Sequence, residues 1–307
     1  MTARAIREEL AQQLAQRRAE AAGQAVGQSY WQVAWRRFRK HRLAIVGGAI
    51  AAGLTLMALL APWIAPYDFE TISLGQRWRA PSGAHFFGTD ELGRDVLTRI
   101  MHAGRISLTV GFLVAVNVAL IGMIVGSVAG FYGGTVDVML MRLVDVLLSV
   151  PTLPLYLILA AMIPGGGMSR IILIFTAFGW TGIARLVRGQ ILSLRTLDFV
   201  EAARAMGASE TRLILRHLLP NALAPVIVAA TLAVGGAILG ESALSFLGLG
   251  IAPPTPSWGN MLQRAQEYIW NAPYLAIFPG VFIFITVLSF NFLGDGLRDA
   301  LDPRLKV

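Results

Sequence analysis

Two carboxylates stand where the chain is otherwise apolar: Asp145, inside a run at 138–163, and Glu241, inside a run at 223–248. An ionisable side chain near a bilayer centre costs about 2.5–3.5 kcal/mol on insertion scales, so each requires a bonded partner or a place on a solute pathway. For Asp145 the partner is Arg142, one turn earlier, or a residue of a neighbouring helix; otherwise it lines or gates a translocation pathway. Glu241 lies among Gly235, Gly236 and Gly240, which let another helix approach closely, so a gate and a structural hydrogen bond both fit. No convergent nucleophile, base or metal set accompanies either residue, and no catalytic residue is expected. The chain has no cysteine, which removes thiolate chemistry and disulfides. His41, His85, His102 and His217 lack ligand spacing and read as interfacial or hydrogen-bonded, so no metal site is expected. There is no Gly-x-x-x-x-Gly-Lys-[Ser/Thr] phosphate loop, the only lysines being Lys40 and Lys306, and this chain is expected to bind no cofactor of its own.

The elements that must position these groups are membrane helices. Of the 307 residues 55% are hydrophobic and 14% charged, against about 25% charged in soluble domains. The net charge of +8 is spread between apolar runs, which argues for charge asymmetry across a bilayer and against a nucleic-acid partner. The first long apolar run begins after some forty polar and basic residues, too late and too long for a cleaved signal peptide, so it is expected to stay in the mature protein. Before it, Ile6, Leu10 and Leu14 suggest a short exposed helix at 3–20, followed by a linker from Gly23 to Gly27. Trp31, Ala34, Trp35 and Phe38 among Arg36, Arg37, Arg39, Lys40 and Arg42 then form an interfacial helix against membrane lipid.

A span needs about 20 mostly apolar residues. Residues 43–65, 106–131, 138–163, 223–248 and 274–294 qualify; 168–187 is weaker, interrupted at Gly179–Gly182 and closed by Arg185. Pro151 and Pro154 are expected to kink the third span. With a cytoplasmic N terminus, nineteen Arg or Lys residues fall inside and seven outside, the bias that sets orientation. Three segments then lie outside lipid. The first, 66–105, contains Gly88-Thr-Asp-Glu-Leu-Gly-Arg-Asp95. The second, 188–222, reads as two short helices, with Asp198 capping the first, Glu201 as capping-box partner, Gly207 as its left-handed stop, Ser209 capping the second and Pro220 ending it. In the third, 249–273, Ser257 caps a helix whose apolar stripe includes Trp258, Met261, Leu262 and Ala265.

The 188–222 segment resembles the EAA loop of bacterial binding-protein-dependent ABC importer permeases: Glu-Ala-Ala, three residues, Gly, nine residues, Ile, any residue, Leu-Pro. Glu201, Ala202, Ala203, Gly207, Leu219 and Pro220 match, and His217 stands at the isoleucine position. Gly88-Thr-Asp with Leu92-Gly-Arg-Asp95, 243–250, 253–259 and 291–303 are similar to the C-type permease of dipeptide, oligopeptide and glutathione importers. Nickel-chelate and opine importers of the same family look similar.

The resemblance implies an all-α integral membrane protein with six transmembrane helices, the type I ABC importer permease fold and a cytoplasmic coupling helix. It implies a homologous B-type permease as partner, two cytoplasmic ATPase subunits that bind ATP and Mg, and an extracytoplasmic solute-binding protein, all at the bacterial inner membrane. Coupling to the ATPases would fall to Asp198, Glu201, Ala202, Ala203, Arg204, Gly207, Leu219 and Pro220. Trp258, Met261 and Arg264 would border the outer mouth where the binding protein docks. The expected division is a cytoplasmic segment 1–42, a first span 43–65, an extracytoplasmic segment 66–105, a five-helix core 106–294 that includes the loop 188–222, and a cytoplasmic tail 295–307. A stand-alone channel or secondary transporter would have no need for the 188–222 loop, and an intramembrane enzyme would need a convergent nucleophile, base or metal set inside the spans.

Overall fold

The structure is a computed structural model that describes residues 30–165 and 167–301. The expected helix at 3–20, the linker that follows it, and Arg304 and Lys306 in the tail lie outside the described residues. Among the described residues eleven α-helices of eight residues or more follow one another: α1 Tyr30–Phe38, α2 Arg42–Ile64, α3 Val96–Tyr132, α4 Gly134–Ser149, α5 Thr152–Met162, α6 Met168–Gly179, α7 Thr181–Leu194, α8 Asp198–Ala205, α9 Leu219–Phe246, α10 Trp258–Ala265 and α11 Tyr274–Leu301. Among the described residues the one β-type pairing is an isolated bridge between Thr89 and Asp95.

Among the described residues five stretches are long and apolar enough to cross a membrane: Arg42–Ile64, Val96–Tyr132, Met168–Leu194, Glu210–Phe246 and Tyr274–Leu301. The pair α4 and α5 supplies a sixth if counted as one span, and it is bent by 86°. The third span expected at 138–163, with a kink at Pro151 and Pro154, is therefore broken into two helices. Pro151 lacks an N–H and drives Val150 to extended backbone, φ −88° and ψ 129°, ending α4 there. Pro154 sits in the first turn of α5, where a missing N–H costs nothing. The weak span at 168–187 is longer than expected: Trp180 keeps helical φ and ψ, and Arg185 does not close the helix, which continues to Leu194.

α3 is the central column. Its 37 residues extend about 55 Å at 1.5 Å per residue, more than the roughly 30 Å of hydrocarbon, so its first turns join the 66–95 segment. It packs along α7 and α9, with α2, α6 and α4 around it. The α3–α7 contact is set by glycines at four-residue spacing. A Cβ added at Gly122 would lie 2.7 Å from Ile183 Cβ, one at Gly126 would collide with the Ala184 carbonyl oxygen, and one at Gly130 would lie 2.8 Å from Ile191 Cβ. Without side chains at these positions the two backbones touch, the packing that replaces hydrophobic driving force between helices in lipid.

Two apolar clusters flank this column. One joins Val114, Val118, Ile183, Val187 and Ile191 to Val200, Leu213 and Leu218. The other joins Ala58, Ile100 and Leu108 to Ile238, Trp258 and Phe290.

Gly126→Val should lower the stability of the detergent-solubilised chain by about 1–3 kcal/mol, the usual cost of overpacking. Thermal unfolding measures it, and an unchanged midpoint would mean that the seam is not close-packed.

Candidate functional site

The 188–222 segment forms a corner beyond the end of α7. α8 starts at Asp198 with Leu197 as N-cap, and no side chain caps it. The expected capping by Asp198 and Glu201 is thus not made. Both residues lie in the first turn of α8, where a negative charge meets the positive end of the helix. Gly207 does adopt the left-handed conformation, φ +83°. Its N–H bonds Arg204 O at 2.9 Å and the Ala208 N–H bonds Ala203 O at 3.1 Å, a Schellman stop. Ser209 occupies the next N-cap without a side-chain bond. From Glu210 the chain runs through a π-helical stretch, Leu213–Leu218, into α9. Pro220 therefore does not end a second helix; it sits in the first turn of α9, a position that tolerates its missing N–H.

Val200 and Ala203 are buried in the bundle core beside Leu213 and Leu218. Ala203 is consequently closed to a partner's groove, whereas Ala202, Glu201, Asp198 and Arg204 are exposed. Leu219 is half-buried and Pro220 exposed. The uncovered apolar surface comes from residues that the motif does not name: Phe199 at 42% exposure and Met206 at 82%. With Ala202 between them they follow an i, i+3, i+7 pattern, the helical periodicity from which this face was readable.

Arginines tie this corner to the bundle. Arg195 donates to the carbonyls of Gly130 and Phe131 at 3.0 and 3.1 Å, bonding the last turn of α3. Arg188 forms a two-bond pair with Asp137 of α4, one contact being Nη2 to Oδ2 at 2.6 Å. Asp145 is bonded to a neighbouring helix, taking Arg185 Nη2 of α7 at 2.6 Å, with both side chains about half exposed.

Glu241 is wholly buried. Its Oε2 accepts from Ser107 of α3 at 3.1 Å, and its Oε1 from Ser245, one turn on, at 2.6 Å. Ser107 Oγ also accepts the Trp258 N–H at 3.3 Å. The carboxylate thus joins α3, α9 and α10.

At the opposite end of the bundle, Ser257 caps α10 and forms a capping box with Asn260. Trp258 is buried, its Nε1 bonding Ile100 O at 3.1 Å, and Met261 is buried too. Of the three residues expected at a mouth, only Arg264 is partly exposed, and Glu91 holds it at 2.9 Å. Glu91 belongs to a buried network: Arg94 bonds Asp90 at 2.7 Å and Glu91 at 3.1 Å, with Arg99 3.5 Å from Asp90. Asp95 accepts the Thr98 N–H at 2.8 Å, capping α3, and His85 Nδ1 at 2.9 Å. The Gly88–Asp95 motif is therefore the bonded base of α3. Beside it a crevice of about 300 Å³ is lined by Phe69, Glu70, His102, Arg105, Met168 and Thr255 among others.

Residues 122–307 match the family described as binding-protein-dependent transport system inner membrane component. Residues 29–81 match the N-terminal TM domain of oligopeptide transport permease C. The chain is 46% identical over 274 residues to the dipeptide transport system permease protein DppC of Bacillus subtilis, covering 89% of this chain and 85% of the relative. It is 43% identical to the oligopeptide transport system permease protein OppC of the same species, covering 89% of each. Against the glutathione transport system permease protein GsiD of Pectobacterium atrosepticum it is 42% identical, covering 89% and 90%. A chain of the inward-facing MetNI methionine ABC transporter shares the fold, with TM-score 0.55 and 21% identity over 67% of this chain and 97% of that one.

Glu241→Leu should destabilise the chain by about 1–3 kcal/mol, because the Ser107 and Ser245 hydroxyls lose their acceptor in a dry core. Glu241→Gln keeps an acceptor and should cost less. Thermal unfolding in detergent compares them, and a leucine variant as stable as the parent would remove Glu241 from the framework.

Proposed function

The chain belongs to the family of binding-protein-dependent transport system inner membrane components, and from that membership we propose that it is the C-type permease subunit of an importer for short peptides. The observation that carries this reading is the agreement among relatives that match 89% of the chain: they are named as dipeptide, oligopeptide and glutathione permeases. In this reading the subunit forms half of a translocation pathway across a bacterial inner membrane. Its partners are a homologous B-type permease, two cytoplasmic ATPases that bind ATP and Mg, and an extracytoplasmic solute-binding protein. The α8 end, with both termini, is cytoplasmic, and the α10 end faces the binding protein.

Work enters through α8. Phe199, Ala202 and Met206 form the apolar contact with an ATPase, ringed by Asp198, Glu201 and Arg204. The buried side of the same helix, Val200 and Ala203, shares a core with Leu213 and Leu218, so a push on α8 is delivered to α9 and α7. Exposed apolar anchors surrounded by charge are the usual centres of binding energy at protein interfaces.

Met206→Asp removes a side chain that is 82% exposed in this chain, so it should insert and fold normally. Gly207→Val forces a β-branched residue into the left-handed region at about 1–3 kcal/mol and turns the corner. Both variants, and Glu201→Lys on the rim, should weaken ATPase association by roughly tenfold or more, about 1.4 kcal/mol. Reconstituted complexes carrying each change are assayed for subunit retention, solute-stimulated ATP hydrolysis and dipeptide uptake. Parental values for all three would remove α8 as the transmission element.

A further inference from the structure

In the crevice at the α10 end, charged side chains of both signs border one space without meeting each other. α3 contributes His102, Arg105, Ile106 and Thr109 to it, positions i, i+3, i+4 and i+7 that share one helical face. The 66–95 segment adds Phe69 and Glu70, α6 adds Met168, and Thr255 comes from the loop before α10.

The surrounding elements are fixed by bonds that leave these polar side chains unused. The buried Arg99 donates to Phe69 O at 3.2 Å, and the Tyr67 N–H meets Thr98 Oγ1 at 3.4 Å, so the 66–70 stretch is held on α3. The buried Asn260 donates to Thr255 O at 2.9 Å. Arg170, in the first turn of α6, donates to the Leu249 and Gly250 carbonyls at 2.7 and 3.1 Å. The crevice is thus preformed, as small-molecule sites usually are.

Among the described residues neither the Arg105 guanidinium nor the Glu70 carboxylate has a hydrogen bond or an ion pair. Both residues are exposed, so water solvates them while the crevice is empty. The nearby Asp68 carboxylate is engaged, accepting from the Glu70 N–H at 3.4 Å and the Thr71 hydroxyl at 3.3 Å. His102 stacks on Phe69 with ring centroids 4.5 Å apart, which gives the space an aromatic wall carrying a donor and an acceptor nitrogen. A cation and an anion that line one crevice without reaching each other suit a ligand that carries both charges with an apolar body between them.

We propose that this crevice is an entry subsite for a zwitterionic short peptide, Arg105 taking its α-carboxylate, Glu70 its α-ammonium and the Phe69–His102 stack covering its backbone. The subsite rests on the permease reading above, which turns the α10 end toward the binding protein, and adds the residues that first hold the released solute. Its volume of about 300 Å³ lies at the small end of ligand sites, which suits a dipeptide.

The cysteine-free chain allows a direct test in the complex of both permeases and both ATPases in lipid nanodiscs. The binding protein is left out, so that only the membrane subunits select. Thr109→Cys is exposed to a charged, water-soluble methanethiosulfonate reagent with and without dialanine as probe. The cysteine should label, and dialanine at about ten times its half-protecting concentration should slow labelling roughly tenfold. Dialanine amide, which lacks the carboxylate, and N-acetyl-dialanine, which lacks the ammonium, should each need about three to five times more for the same protection, the usual contribution of a partly exposed charge pair. Arg105→Gln should erase the difference between dialanine and its amide, and Glu70→Gln the difference between dialanine and its acetyl derivative.

No labelling would mean that lipid or the partner permease fills the crevice. Labelling without protection would leave an aqueous opening that holds no peptide, and equal protection by all three compounds would mean that the charged ends are not read. Each of these results overturns the subsite. Dialanine uptake by proteoliposomes holding the parent complex, with binding protein added, tests the permease reading separately. Uptake without protection sinks the subsite alone, whereas absence of uptake sinks the permease reading and the entry role of the crevice with it.

Discussion

The close approach of α3 and α7 is the constraint on which the rest of this molecule depends. Lipid gives no hydrophobic reward for bringing two apolar helices together, so they associate through packing alone. Gly122, Gly126 and Gly130 supply it by leaving nothing between the backbones. With the seam closed, the arginines of α7 have their partners in reach: Arg188 meets Asp137, Arg185 meets Asp145, and the Arg195 that follows α7 reaches the last carbonyls of α3. The same seam carries Val187 and Ile191 into the cluster that holds Val200 of α8. The short helix outside the span core thereby shares the core of the bundle.

Electrostatics then sorts the charged residues by what they can afford to touch. In a low-dielectric interior an unpaired charge is expensive, and the buried ones are bonded several times over. Asp90, Glu91, Arg94 and Arg99 hold one another at the base of α3. Arg170 donates to four backbone carbonyls, those of Ala160, Ile163, Leu249 and Gly250. Glu241 takes two serine hydroxyls. Against this background the Arg185–Asp145 pair is half exposed and shares one bond.

The spans were legible because length and composition alone decide whether a segment can cross hydrocarbon, and the match of α2, α3, α9 and α11 to their apolar runs follows from that. The Gly207 corner and the Ser257 N-cap were legible for the same reason, being rules within five residues. What failed depended on partners. Asp198 had the right type to cap α8, but the helix begins on it instead of after it. Ala203 carries the motif yet faces inward, because Leu213 and Leu218 return to cover it. Trp258 and Met261 make an apolar stripe that α9, α11 and the start of α3 bury, leaving no mouth contact from them. The bend at Pro151 was anticipated as a kink, but its size, 86°, was not. The glycine repeat at 122–130 was a readable signal of the central seam; the helix it meets was not, since no local rule names a partner 60 residues away.

The central claim is that α8 and the α3–α7 column move as one body, so that force applied at the corner reaches the pathway. Spin labels on Ser209→Cys, at the corner, and Ile124→Cys, on the exposed face of α3, report that distance by pulsed electron resonance in the assembled complex. The account predicts that it changes by no more than about 2 Å between nucleotide-free and ATP-bound states, within the shift of a packed helix. A change of about 5 Å or more, the size of a one-turn ratchet, would show that the corner moves independently and would contradict it.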